Sequence, residues 1–277
     1  MKKLKYLLFL FITLICVTGC GKDNSKENLK EAMLKLKDTK AIAMKMSVTM
    51  GSDEMKLPLN FEISVNENGM HMKYSTNLFG MEVAEETYAI NKGEESFVYT
   101  YDSEDKKWYY MRGEKGNSVI DFNFDDNADF EKELDEYLES LSSIKKVKSD
   151  KDGYDKLEIT ISKKTMEESI NKEKDIEEDD KKDIEEALKS LPEEFTFYMY
   201  LKNGELAIIN MDLSSMTIPS LTEEMPEGVN MKLYDLTLEI LGRNENVLVE
   251  VPKEIEDSAT EYKLDLDDLD LGGKEKM

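Results

Sequence analysis

The sequence predicts an α+β protein built on one large curved antiparallel β-sheet, an unclosed half-barrel with helices covering its concave face. Apolar and polar residues alternate over many short segments, turn residues separate these segments, and a few segments have helical periodicity instead. We expect about ten or eleven strands, and an open sheet of that size curls or splits. Its apolar face needs a cover, which the helices can supply.

A short amphipathic helix opens the predicted domain. Leu29 and Met33 follow one another at helical spacing within 25–37, and Asn24 and Glu27 have the spacing of a capping box. After this helix the apolar period changes from helical to alternating. The change predicts that strands follow directly.

Two long alternating runs then predict a β-hairpin with one apolar and one wet face. Apolar residues occupy every second position over 42–50 and 55–65, and turn residues at 51–54 join the runs. Pro58 lacks an amide hydrogen, so we expect it on an edge strand or at a bulge. The further predicted strands are 70–76, 81–90, 95–101, 107–112, 157–161, 195–201, 206–214, 230–241 and 246–251.

Helical segments interrupt the strands in the middle of the chain. An apolar stripe predicts an amphipathic helix over 127–143, and 164–192 reads as a charged insert with a helix at each end. We therefore place a single domain at 26–256, followed by an acidic tail at 257–277. The tail has too few apolar residues to fold by itself, so we expect it to be disordered.

The N-terminus is typical of a bacterial lipoprotein signal peptide. Three lysines precede an apolar run over 6–17, which is too short for a comfortable membrane span. The run ends in a lipobox, so we expect removal of residues 1–19 and lipidation of Cys20, for example with palmitate. An uncleaved anchor helix is the alternative. Residues 20–25 would then tether the domain to the outer side of the cell membrane.

Composition excludes several classes of function. The net charge of −24 becomes −27 when the signal peptide and its three lysines are removed, which argues against nucleic acid as a partner.

The single histidine, His71, alternates with apolar neighbours and so belongs to the wet side of its strand. Because Cys16 is discarded and Cys20 acylated, no thiol remains for catalysis or metal binding. We expect no enzyme activity, no metal and no cofactor. Only two of the 37 basic residues are arginine, a bias that hints at a Gram-positive source.

The order of these features resembles a known family. Cys20, one helix, the hairpins over 42–65, aromatic strands at 97–101 and 107–110 and a last strand at 246–252 together resemble the LolA-like lipoprotein-carrier superfamily, which includes the LppX-type lipoproteins. The resemblance is one of pattern and order. It implies an unclosed antiparallel barrel with a helical lid over an apolar cavity that holds acyl chains, and it implies no catalytic residues.

Methionine is frequent in the predicted strands, and its flexible thioether suits a pocket for varied apolar ligands. Plain core filling is the alternative for the same residues. The candidate lining residues are Met44, Met46, Met72, Phe61, Ile63 and Met199.

Three hypotheses about function follow. The first is a monomeric, membrane-anchored lipoprotein that binds or carries a lipid or another apolar ligand between sheet and helices. The second is a non-enzymatic interaction or regulatory lipoprotein of the cell envelope with a filled core. The third is a surface hydrolase whose triad would have to use His71.

Overall fold

The computed structural model describes residues 24–52, 55–78, 81–114, 130–172, 192–214 and 232–262. Its strands are β1 (Ile42–Gly51), β2 (Lys56–Asn66), β3 (Gly69–Leu78), β4 (Met81–Lys92), β5 (Glu95–Asp102), β6 (Lys107–Glu114), β7 (Ser143–Val147), β8 (Asp155–Ser162), β9 (Glu194–Lys202), β10 (Glu205–Asp212), β11 (Lys232–Arg243) and β12 (Thr260–Glu261). Its α-helices are α1 (Ser25–Lys37), α2 (Phe130–Glu139), α3 (Lys163–Lys172) and α4 (Lys253–Ser258).

All the described strands belong to one sheet in the order β12-β6-β5-β4-β3-β2-β1-β11-β10-β9-β8-β7. Two meanders, β1 to β6 and β7 to β11, are joined where β1 pairs with β11. Every neighbouring pair is antiparallel except β12 and β6, which run parallel. The end strands β12 and β7 do not pair with each other, so the sheet stays open. This confirms the predicted α+β fold with a large, unclosed antiparallel sheet.

The sheet has two faces, which the strand register identifies because directly opposite residues share a face. We call the face that carries His71, Tyr88 and Tyr200 the outer face. The opposite face is the inner face, and one row of residues across the strands defines it. The inner-face row from β9 to β4 is Met199, Ile209, Leu238, Met46, Phe61, Tyr74 and Glu85.

The largest core lies on the inner face of β7 to β11 and β1, under α1 and α2. Leu29 of α1, Leu138 of α2 and Phe197 of β9 are fully buried in this cluster. Lys30 of α1 donates a 2.8 Å hydrogen bond to Asp135, which ties the two helices together. The helices therefore cover this half of the inner face, as the amphipathic patterns predict.

A second core lies on the opposite side of the sheet, on the outer face of β4 to β6. Here Tyr88 and Tyr99 are buried beneath the segment that runs from residue 247 to 262, which we call the C-terminal strap. Val249 and Ile255 of the strap are buried against them. The strap ends as β12, so the C-terminus returns to the far edge of the sheet.

Several local predictions are corrected by the structure. Helix α1 spans Ser25–Lys37 as expected, but the Asn24 side chain makes no capping hydrogen bond. Pro58 lies on the interior strand β2 rather than on an edge. It is tolerated there because pairing with β3 starts only at Leu59.

The predicted strand over 246–251 was wrong. A 3₁₀ turn at Asn244–Asn246 leads into an extended segment outside the sheet, whose alternate valines pack on the outer face. The described residues also extend past residue 256, through β12 to Tyr262. The signal peptide, Cys20, residues 173–191 with the second helix predicted in the charged insert, and residues 263–277 lie outside the described residues.

Candidate functional site

Four of the six candidate lining residues form a half-buried patch on the inner face, which we call the apolar strip. It consists of Met44, Phe61, Ile63 and Met72. Met44, Ile63 and Met72 stand directly opposite one another on β1, β2 and β3. Phe61 lies in the next row, and its ring is 5.1 Å from the ring of Tyr74. The alternation in the sequence thus places these four side chains together.

The other two candidates lie inside the main core. Met199 is fully buried and Met46 is 5% exposed. Both pack within the cluster that α1 and α2 cover. A ligand could touch Met199 only if this packing opened. Met199 is therefore closed to a ligand, whereas the side chains of the apolar strip are partly exposed.

The apolar strip continues toward an open groove of about 640 Å³ on β4 to β6. In the register, the row that holds Met72 continues through Thr87 and Thr100 to Tyr109. The neighbouring row that holds Met70 continues through Ala89 and Val98 to Met111. Val98, Thr100, Tyr109 and Met111 line the groove. We call it the acidic groove because of the carboxylates described next.

Four carboxylates lie around the groove: Glu85, Asp102, Glu104 and Asp105. The Asp102 side chain accepts hydrogen bonds from the backbone amides of Glu104 at 2.8 Å and Asp105 at 2.9 Å, which holds the β5–β6 turn. Asp105 accepts a 2.7 Å hydrogen bond from the Tyr109 hydroxyl, and this bond raises the pKa of Tyr109. The described residues lining the groove include no lysine or arginine.

The C-terminal strap completes one wall of the groove. The Tyr262 amide donates a 2.8 Å hydrogen bond to the Tyr110 carbonyl oxygen, which fixes the strap beside β6. The Tyr262 ring then meets the Tyr109 ring edge to face, with centroids 6.3 Å apart. Tyr262 remains 56% exposed, so the aromatic corner is accessible to a ligand.

The sequence did not predict this groove. The predicted strands at 95–101 and 107–112 imply a turn between them, but alternation alone cannot say that a residue from the end of the chain packs beside this turn. The aromatic run around Tyr109 was a usable signal, because aromatic side chains bury a large apolar area and form ring pairs when another segment packs against them.

His71 lies on the outer face, as its alternation predicts, but it is half-buried and paired. Its Nε2 is 2.8 Å from a carboxylate oxygen of Glu86, and its ring stacks on Tyr88 with centroids 4.1 Å apart. The Tyr88 hydroxyl donates to the same Glu86 oxygen. Ser64 stands opposite His71 on β2, but no hydrogen bond joins them. The hydroxyl–imidazole bond that a hydrolytic triad requires is therefore not formed here.

Burial also affects the chemistry of this cluster. Burial, aided by the nearby Glu86 carboxylate, raises the pKa of Tyr88 to about 12.

Within the described ranges, no three His, Cys, Asp or Glu side chains cluster closely enough to hold a metal ion. None of the helices in the described part of the chain is long and apolar enough to span a membrane.

The fold and this site describe a protein class: an open antiparallel sheet with a helix-covered core and an apolar strip leading into an acidic groove. Comparison with solved structures returns the lipoprotein LppX of Mycobacterium tuberculosis, with 9% identity over 83% of this chain and 100% of that one, at a TM-score of 0.41. It also returns a porin-like protein from Bacteroides uniformis, with 10% identity over 74% and 96% and a TM-score of 0.23.

No protein-family model matches the chain. No curated protein matches it either. The proposals below are based on the contacts of this chain itself.

Proposed function

We propose that the chain is a lipoprotein, anchored through Cys20 on the extracytoplasmic side of the membrane, that binds a lipid or another apolar ligand on the inner face of its sheet. The observation that carries this proposal is the apolar strip. From the main core the apolar inner surface continues through Met44, Ile63 and Met72, which pack against a smaller buried cluster that Leu36 of α1 also contacts. These three side chains are only half-buried.

An apolar surface that adjoins an open groove is a typical place for a ligand. Binding pockets commonly measure about 300–1,000 Å³ and combine apolar walls with a few polar groups. The groove of about 640 Å³ falls in this range. Removing the half-buried strip from water would stabilise a complex by about 25 cal/mol for each Å² covered. The methionines at its centre can adapt to chains of different shape.

Native mass spectrometry of the mature chain, residues 20–277 with Cys20→Ser, tests the proposal. We expect an apolar molecule to co-purify, and chloroform extraction to release it. The Met72→Glu variant places a charge on the strip and should retain much less ligand. Lys73→Glu is a control on the same strand, because residue 73 faces the outer side and is exposed. Circular dichroism verifies that both variants fold.

A specific observation supports the alternative, an interaction lipoprotein with a filled core. Met199 and Phe197 are completely buried, so the volume under the helices is occupied by side chains. If the mature chain neither retains nor binds any apolar molecule, the ligand proposal is wrong. Crosslinking to a specific envelope protein would then favour the interaction role.

A further inference from the structure

We propose that the ligand of the inner face is a cationic amphiphile, whose organic ammonium head lies in the acidic groove while its apolar tail lies on the apolar strip. This inference rests on the apolar-ligand function proposed above and adds the chemistry of the head group.

The first argument is the shape of the groove wall. Tyr109 and Tyr262 meet at an interplanar angle of 86°, so their rings form a corner rather than a flat stack. Val98 and Met111 supply apolar surface beside this corner, and Met111 is 38% exposed. An ammonium group beside an aromatic face is attracted by the negative charge of the π-system. Aromatic corners of this kind can bind alkylated amines, because the methyl groups contact the rings while the charge is retained.

The second argument is the charge of the groove. Four carboxylates line it, and no lysine or arginine occurs among the described residues that do so. Lys107 stands opposite Asp102 at the strand ends but does not line the groove. The carboxylates of Glu85 and Glu104 have no hydrogen-bond or ion-pair partner in the described part of the chain. They are therefore available to a cationic ligand, and they repel an anionic head group.

The third argument is the continuity between groove and strip. Glu85 stands directly opposite Tyr74, whose ring contacts Phe61 of the strip. From Met72 on β3 to Tyr109 on β6 there are three strand spacings, or about 14 Å along the sheet. A single molecule with an alkyl tail can span this distance. The two ends of the site therefore fit one ligand with a charged end and an apolar end.

A set of matched probes tests this chemistry. Dodecyltrimethylammonium, dodecanol and laurate each contain a chain of twelve carbons, which in laurate includes the carboxylate carbon, and they differ in head-group charge. Tetramethylammonium has the head without the tail. Binding of each to the mature Cys20→Ser chain is measured by calorimetry, below the micelle concentration of the two charged amphiphiles and below the solubility limit of dodecanol. We expect the ammonium amphiphile to bind about tenfold more tightly than the alcohol and laurate to bind most weakly. Added salt should reduce this preference.

Two variants separate the groove from the general acidity of the protein. The double variant Glu85→Gln and Glu104→Gln keeps side-chain size but removes two groove charges. It should lose most of the preference for the ammonium form over dodecanol. Glu158→Gln with Glu239→Gln is the matched control, because both residues lie on the outer face. This control removes the same total charge and should preserve the preference.

The outcomes distinguish the two proposals. Equal binding of all three twelve-carbon probes would overturn the cationic head group but leave the apolar-ligand function standing. Binding of none would overturn both. Tetramethylammonium binding as tightly as the amphiphile would show a site for free organic cations and overturn the shared-ligand inference. An ammonium preference that survives in the groove variant would place the head group elsewhere and would also overturn it.

Discussion

The two halves of the sheet bury opposite faces. In β7 to β11 the inner face packs under α1 and α2, with Phe197 fully buried. In β4 to β6 it is the outer face that is buried, under the C-terminal strap, while the inner face opens into the acidic groove. The same strand pattern therefore gives a covered core in one half and an accessible surface in the other. The cover, and not the strand itself, decides which face is free to bind a ligand.

The largest effect should come from removing a ring in the helix-covered half. Phe197→Ala should reduce the free energy of unfolding by about 3–5 kcal/mol, because Phe197 has no exposed surface and its loss leaves a cavity. Phe97→Ala makes the same chemical change in the other half, where Phe97 is only partly buried. It should cost about half as much. Urea unfolding of both variants measures the difference, and equal losses would contradict the unequal packing of the two halves.

A smaller effect is expected in the strap. Ile255→Ala should weaken the outer-face cluster by about 2 kcal/mol. Hydrogen exchange should become faster in the strap and in β6, while β8 and β9 keep their protection. Leu248→Ala is the control on the same segment, since Leu248 is 77% exposed and its loss should change stability by less than about 0.5 kcal/mol. Faster exchange throughout the sheet would show that the strap and the main core unfold together.

The stability of the half of the sheet under the C-terminal strap, β4 to β6, should also depend on alkaline pH. Burial raises the pKa of Tyr88 to about 12, so the folded state keeps its proton while the unfolded state loses it above about pH 10. Stability should therefore fall between about pH 10 and 12, by an amount on the order of 1 kcal/mol. Tyr88→Phe should remove this part of the alkaline loss in unfolding measurements at several pH values. An unchanged pH profile in the variant would contradict the assignment.

The smallest effect is expected in acid, in the half that contains β8 and β9. Hydrogen bonds from Lys156 and Tyr200 lower the pKa of Asp150 to about 2. A lowered folded-state pKa stabilises the protein above about pH 4 and loses that contribution as the pH falls toward 2. Asp150→Asn should flatten the stability profile in this window. Asp152→Asn, an exposed change in the same turn, should follow the wild-type curve.

Much of the fold could be predicted from local pattern. Strict alternation over 42–65 placed Met44, Phe61 and Ile63 on one face, because side chains on a strand point to opposite sides in turn. The helical spacing of Leu29 and Met33, and the change to alternating residues after it, predicted a helix over 25–37, which is α1. The strap was missed because the valines at 247, 249 and 251 alternate like a strand, and only the absence of a hydrogen-bonded neighbour shows that they are not one.

Apart from β7, β12 and the extended strap, which it did not predict, the sequence alone determined the secondary structure, the antiparallel order of consecutive strands and the side of the sheet on which each strand residue lies. These properties follow from backbone periodicity and short turns, which are local. Tertiary structure decided which side is covered, because that depends on where distant segments pack. The groove shows this most clearly: Tyr109 and Tyr262 are far apart in the chain and meet only because the strap returns along β6.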